Sequence, residues 1–145
     1  LSALAFRQCF AAGKFVAEKA KVDGFYPAVV RPKAARIGAL IQDTFGRAWR
    51  SGVKIGFGTD AGVFPHGENA RELGYMVEAG LAPMDALRAA TVGSATLLGI
   101  ESETGTLEVG KHADLIATRR NALVDVSELS RVIFVMRGGS IYKRE

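Results

Sequence analysis

Apolar positions along the chain change their period three times, and each change predicts a different element. Residues 3–21 mix Ala, Lys and Phe in a way that predicts a helix, with Gly13 costing its middle up to about 1 kcal/mol relative to alanine. Residues 22–27 carry Gly24 and Pro27 and read as a turn. From residue 32 to 50 the apolar positions Ile37, Leu40, Ile41, Phe45, Ala48 and Trp49 recur every three or four residues. That spacing, with Pro32 in the first turn and Gly52 beyond the end, predicts a long amphipathic helix.

The period then shortens. Residues 53–58 (VKIGFG) form a β-type run that stops at Thr59-Asp60. Helix, glycine and then strand predicts an αβ unit and hence a parallel sheet. Residues 61–67 read as a loop; 68–79 as a helix with Leu73, Met76 and Val77 on its apolar side, closed by Gly80. Pro83 opens a helix over 84–90, and a further short helix over 92–98 ends at Gly99. After residue 100, glycines punctuate short segments centred on Leu107 and on 113–118, 132–136 and 140–143, with Gly138-Gly139 marking a hairpin. The division this predicts is an α/β part over 1–104 and a small β part over 105–145.

Composition narrows the class without changing this picture. Across 145 residues, 48% are hydrophobic and 23% charged, which excludes a disordered chain. No apolar run approaches the roughly 20 residues of a membrane span. The single Cys9 cannot form an internal disulfide, so the expected compartment is reducing and the expected location cytoplasmic. The chain opens at Leu1 with no methionine before Met76, which reads as a processed chain or a piece of a longer one. In residues 1–7, positive charge follows the apolar stretch, the reverse of a secretory signal.

Charge is uneven. Residues 1–54 carry ten Lys/Arg against three Asp/Glu, while 55–145 carry nine against twelve. A basic arm for nucleic acid is one reading. The basic residues are dispersed at helical spacing without a nucleic-acid motif, which favours a solvated helix face. No nucleic-acid partner and no membrane partner are expected.

The chemistry-bearing stretch is Gly58-Thr59-Asp60-Ala61-Gly62 followed by Pro65-His66-Gly67-Glu68-Asn69. Active sites of barrels and open parallel sheets lie at the carboxyl ends of strands, which makes Asp60 a candidate metal ligand or general base. An aspartate there serves equally well as a turn or helix cap. His66 lies on the same loop and reads by itself as a surface histidine. Glu68 and Asn69 read as cap and first-turn residues of the next helix. His112 reads as solvent-facing and Cys9 as a buried thiol. A catalytic zinc site needs three protein ligands. Two histidines, with no HxH, HExxH or CxxC, supply part of one.

The stretches Val53–Asp60 and Pro65–Glu72, continuing through 76–87, 89–91 and 105–117, closely resemble the amidohydrolase superfamily. The similarity is to its imidazolonepropionase-like and prolidase-like dipeptidase branch, and it begins near residue 13. It implies a C-terminal fragment of a (β/α)8 metal-hydrolase barrel, its last helix–strand–helix units followed by strands of a small composite β domain. It also implies a divalent metal, zinc, and hydrolysis of an amide bond in a small dipeptide-like substrate. By the same resemblance Asp60 closes the eighth strand, ligates the metal, takes a proton from bound water and passes it to the leaving nitrogen. His66 matches a rim histidine and is assigned to substrate binding. The HxH of the first strand, the bridging lysine of the fourth and the histidines of the fifth and sixth have no counterpart in this sequence. A barrel takes about 250 residues, so the chain alone is expected to be inactive. The alternative is a non-catalytic module that serves as an interaction domain or forms homo-oligomers through faces left unpaired.

Overall fold

The structure, a computed structural model, describes residues 5–145, with side chains from Cys9 onward. Its elements are β1 (Ala5–Gln8), α1 (Phe10–Lys19), α2 (Arg31–Arg50), β2 (Lys54–Phe57), α3 (Arg71–Glu78), α4 (Pro83–Arg88), a π turn (Ala89–Gly93), α5 (Ser94–Leu98), β3 (Leu115–Thr118), a 3-10 turn (Val126–Ser130), β4 (Val132–Arg137) and β5 (Ser140–Arg144). This is a mixed α/β architecture with one parallel strand pair and one three-stranded antiparallel sheet, ordered β3-β4-β5.

The first expectation to fail is the helix over 3–21. Its first residues, Ala3 and Leu4, lie outside the described residues. Residues 5–8 form β1, paired in parallel with β2 in the register Phe6↔Ile55 and Arg7↔Gly56. Only from Phe10 does the helix run. Local composition favours helix there, and pairing with a strand almost fifty residues away overrides it. The parallel sheet expected from the helix–glycine–strand order is present, with α1 and α2 as the connection.

Gly13 is not a flaw in α1. It is buried against α2, and a Cβ placed on it would stand 2.6 Å from Ile41 Cδ1. A Cβ on Gly38 would meet Ala17 Cβ at 3.4 Å, so the two glycines let the helices approach closely. Helix α2 follows its predicted span and ends as Gly52 requires. Val53 N–H donates to Ala48 O and Gly52 N–H to Trp49 O, with Gly52 at φ +76°. Leu40, expected on the apolar face, is exposed, whereas Phe45 is buried as expected, together with Ala34, Gly38 and Gly46.

A core of Phe10, Phe45, Ile55, Leu73, Met76, Leu81, Ala86, Ala89 and Leu129 joins these elements. Phe10 and Phe45 meet edge to face at 4.7 Å. The two helices expected over 84–90 and 92–98 are one continuous helical rod, with the π turn where a break was expected. Helix α3 starts at Arg71, so Glu68 and Asn69 precede it; Glu68 pairs with Arg71 at 2.7 Å, and the acidic residue of the first turn is Glu72. No strand forms around Leu107, which is exposed on a loop. The hairpin at Gly138-Gly139 forms as predicted, both residues at positive φ.

Candidate functional site

Parallel pairing puts the carboxyl ends of β1 and β2 on one rim, because Gln8 pairs with Phe57. Two segments leave from that rim: Cys9 into α1, and residues 58–70 towards α3. Asp60 stands three residues beyond β2 at φ +53°, and among the described residues it is the one non-glycine in the left-handed region. Asp tolerates that conformation better than most residues, and such backbone is concentrated at functional loops. The turn is closed by Val63 N–H donating to Asp60 O at 3.2 Å. His66 follows on the same loop. Both side chains are exposed, and among the described residues neither has a hydrogen-bond or ion-pair partner.

What holds this loop is a residue the sequence reading passed over. Phe64, between the two candidates, is buried against Ala11 and Ala12 of α1, with Tyr75 alongside. An aromatic residue in a stretch otherwise made of Ala, Gly, Val, Pro and His was the available signal. The loop is therefore pinned to the element that follows β1.

Glu72 was also missed, hidden among acidic residues that read as helix-start charges. Its side chain is buried at 1% exposure. Its carboxylate accepts the backbone N–H of Phe10 at 2.6 Å and of Ala11 at 2.7 Å. These are free donors of the first turn of α1, so α3 caps α1 from 62 residues away. Burial pushes the Glu72 carboxyl up to about 7, against the N–H groups of Ala11 and Phe10 and the charge of Lys14, which favour the ionised form. Lys14 lies 3.9 Å over the Tyr75 ring and pairs with Glu78 at 2.5 Å.

A metal does not find a complete ligand set here. Among the described residues no three His, Cys, Asp or Glu side chains converge to hold an ion. His112 is exposed, as expected, on the loop before β3. Cys9, expected to be buried, is half-buried at the start of α1. Clefts form elsewhere: one beside β2 between Trp49, Lys54, Arg88 and Leu97, another between α5 and the small sheet, and neither is lined by Asp60 or His66. Among the described residues, no helix is long and apolar enough to cross a membrane.

Comparison with known proteins places this geometry. Residues 15–142 match the amidohydrolase family. A crystal structure of a Xaa-Pro dipeptidase with methionine bound in its active site is 51% identical, with a TM-score of 0.88 over 92% of this chain and 33% of that one. A prolidase complexed with N-methylphosphonate-L-proline is 26% identical, with a TM-score of 0.80 over 96% of this chain and 35% of that one. The imidazolonepropionase of Symbiobacterium thermophilum is 54% identical over 37 residues, which are 26% of this chain and 9% of that protein. The chain thus spans about a third of the length of the solved structures it matches.

Proposed function

The chain belongs to the amidohydrolase family, and on that premise we propose that it supplies the eighth-strand end of a barrel hydrolase acting on an amide bond of a small, dipeptide-like substrate. The family works with divalent metals; we assign zinc to this member. Residues 1–104 are the C-terminal part of the barrel, and residues 105–145 are strands of a composite β domain. Asp60 is the carboxylate this chain contributes as metal ligand and proton carrier, and His66 is a substrate contact on the same loop. We place the protein in the cytoplasm, without a nucleic-acid or membrane partner.

The observation that carries this reading is the position of Asp60. It sits just past the end of a parallel strand, in left-handed backbone, on a loop anchored by Phe64. A side chain that only capped the turn would be expected to accept a nearby N–H, and the Asp60 carboxylate accepts none among the described residues. It is held outward and available. The donor set around it does not fit a bound metal, because one exposed carboxylate is short of the three ligands a catalytic ion requires. Hydrolysis therefore needs metal ligands beyond those of these 145 residues. The 145 residues with added zinc should leave Xaa-Pro dipeptides intact; robust hydrolysis that disappears in Asp60→Asn would overturn the proposal.

A second reading, homo-oligomerisation as an interaction module, is favoured by one feature. Ile116, Ile141 and Tyr142 of the antiparallel sheet are all more than half exposed. Multi-angle light scattering giving a monomer at high micromolar concentration would remove it.

A further inference from the structure

The rod from Pro83 to Leu98 touches β2 at one polar point. Ser94 Oγ accepts the backbone N–H of Phe57 at 3.0 Å and donates its own hydrogen to Ala89 O at 2.7 Å. Phe57 is the last residue of β2, and Asp60 follows three residues later. Ala89 is the first residue of the π turn and Ser94 follows its last, and the wider winding brings position 94 over the carbonyl of position 89. Such turns occur as single-turn bulges within α-helices, frequently at functional sites.

Two glycines make the approach possible. A Cβ on Gly93 would stand 3.0 Å from Arg88 O and 3.3 Å from Ile55 O, both backbone atoms that cannot swing aside. A Cβ on Gly56 would stand 2.8 Å from Leu97 Cδ2. Helix and strand therefore meet nearly backbone to backbone, and one hydroxyl fixes where along the strand they meet. The Phe57 N–H needs an acceptor as the chain leaves the sheet, and Ser94 supplies it.

We propose that Ser94 is a positioning residue: through the Phe57 N–H it holds the end of β2 in the geometry that presents Asp60. This deepens the reading of Asp60 as the functional carboxylate. The tie itself is a statement about geometry, so it is tested by measurements that do not depend on activity. Thr91 provides the control, because its hydroxyl bonds Leu87 O at 2.8 Å within the same rod and makes no hydrogen bond to the strand.

The test is residue-resolved NMR on the 145-residue chain. In Ser94→Ala, amide hydrogen exchange at Phe57 should accelerate on the order of tenfold or more. The scalar couplings that report the positive φ of Asp60 should relax towards averaged values. Ser94→Thr should restore both, and Thr91→Ala should leave both unchanged. Should Ser94→Ala not fold, Ser94→Cys, with its weak acceptor sulfur, must still speed exchange at Phe57 selectively. Unchanged Phe57 exchange and Asp60 couplings in the folded Ser94 variants would overturn the proposal, as would an equal response in Thr91→Ala. A grafted enzyme in which Asp60 proves dispensable would sink the functional reading and leave the NMR outcome standing.

Discussion

The parallel pair β1–β2 and the antiparallel sheet β3–β5 are built from strands of similar length, yet they are secured differently. Around β2, Ile55 is buried among Phe10, Phe45, Met76 and Ala86, and helices close over the strand. In the antiparallel sheet no strand residue is fully buried, and every residue of β5 is exposed. Leu129, on the 3-10 turn between β3 and β4, joins the main core and ties the two parts together. The first region is held by side-chain packing, the second by its ladder, its hairpin and the anchor of Leu129, with Ala122 and Val126 packed beside it. Disturbing each region should therefore give responses of very different size.

The sharpest contrast is between two aromatic truncations. Phe45→Ala removes a ring at 1% exposure that packs edge to face on Phe10, and should cost about 3–5 kcal/mol. Tyr142→Ala, at 72% exposure, should stay within about 0.5 kcal/mol. Urea denaturation of both variants checks this, and comparable losses would mean that the small sheet has a packed face.

Next in size is Glu72. Its replacement by alanine leaves two buried N–H groups of α1 without an acceptor and should cost about 2–4 kcal/mol. The pH dependence has a definite sign. The folded carboxyl is raised from 4.5 to about 7, so the native state binds this proton more tightly than the unfolded chain. Its contribution is full below pH 4.5 and is lost as pH rises through about 7. Denaturation midpoints measured from pH 4.5 to 8 should show that decline in the wild type and a flatter profile in Glu72→Gln. A wild-type rise over that window would contradict the assignment.

The smallest effect belongs to the hairpin. Gly139→Ala, at φ +79° with nothing near its Cβ, should cost about 1 kcal/mol, and Gly138→Asn should be better tolerated. Thermal melts resolve the two. A loss in Gly139→Ala as large as in Phe45→Ala would show that the hairpin shares the main core.

The same contrast explains what could be read from residues alone. Helix α2, strand β2 and the Gly138-Gly139 turn carry their signals locally, in spacing and in glycines at forced conformations. Strand β1 does not: it is extended because β2 lies beside it, and its own residues favour a helix. Gly13 reads as helix-weakening until α2 is seen against it. Asp60 and His66 were legible as a pair on one loop because the motif is contiguous. Phe64, Glu72 and Ser94, which hold that loop, the start of α1 and the end of β2, act across distances of 37 to 62 residues or through burial, and no local spacing marks them. Leu107 shows the opposite error, an apolar residue between glycines that finds no strand to pair with.

We propose Asp60 as the carboxylate that this chain brings to a family active site. The direct measurement is a graft in which these 145 residues replace the matching third of the Xaa-Pro dipeptidase to which they are 51% identical. The graft, assayed for Xaa-Pro hydrolysis with divalent metal, should be active, and Asp60→Asn should lower its kcat/KM on the order of 10³-fold or more. An active graft that keeps its rate within about tenfold after Asp60→Asn would contradict the central claim.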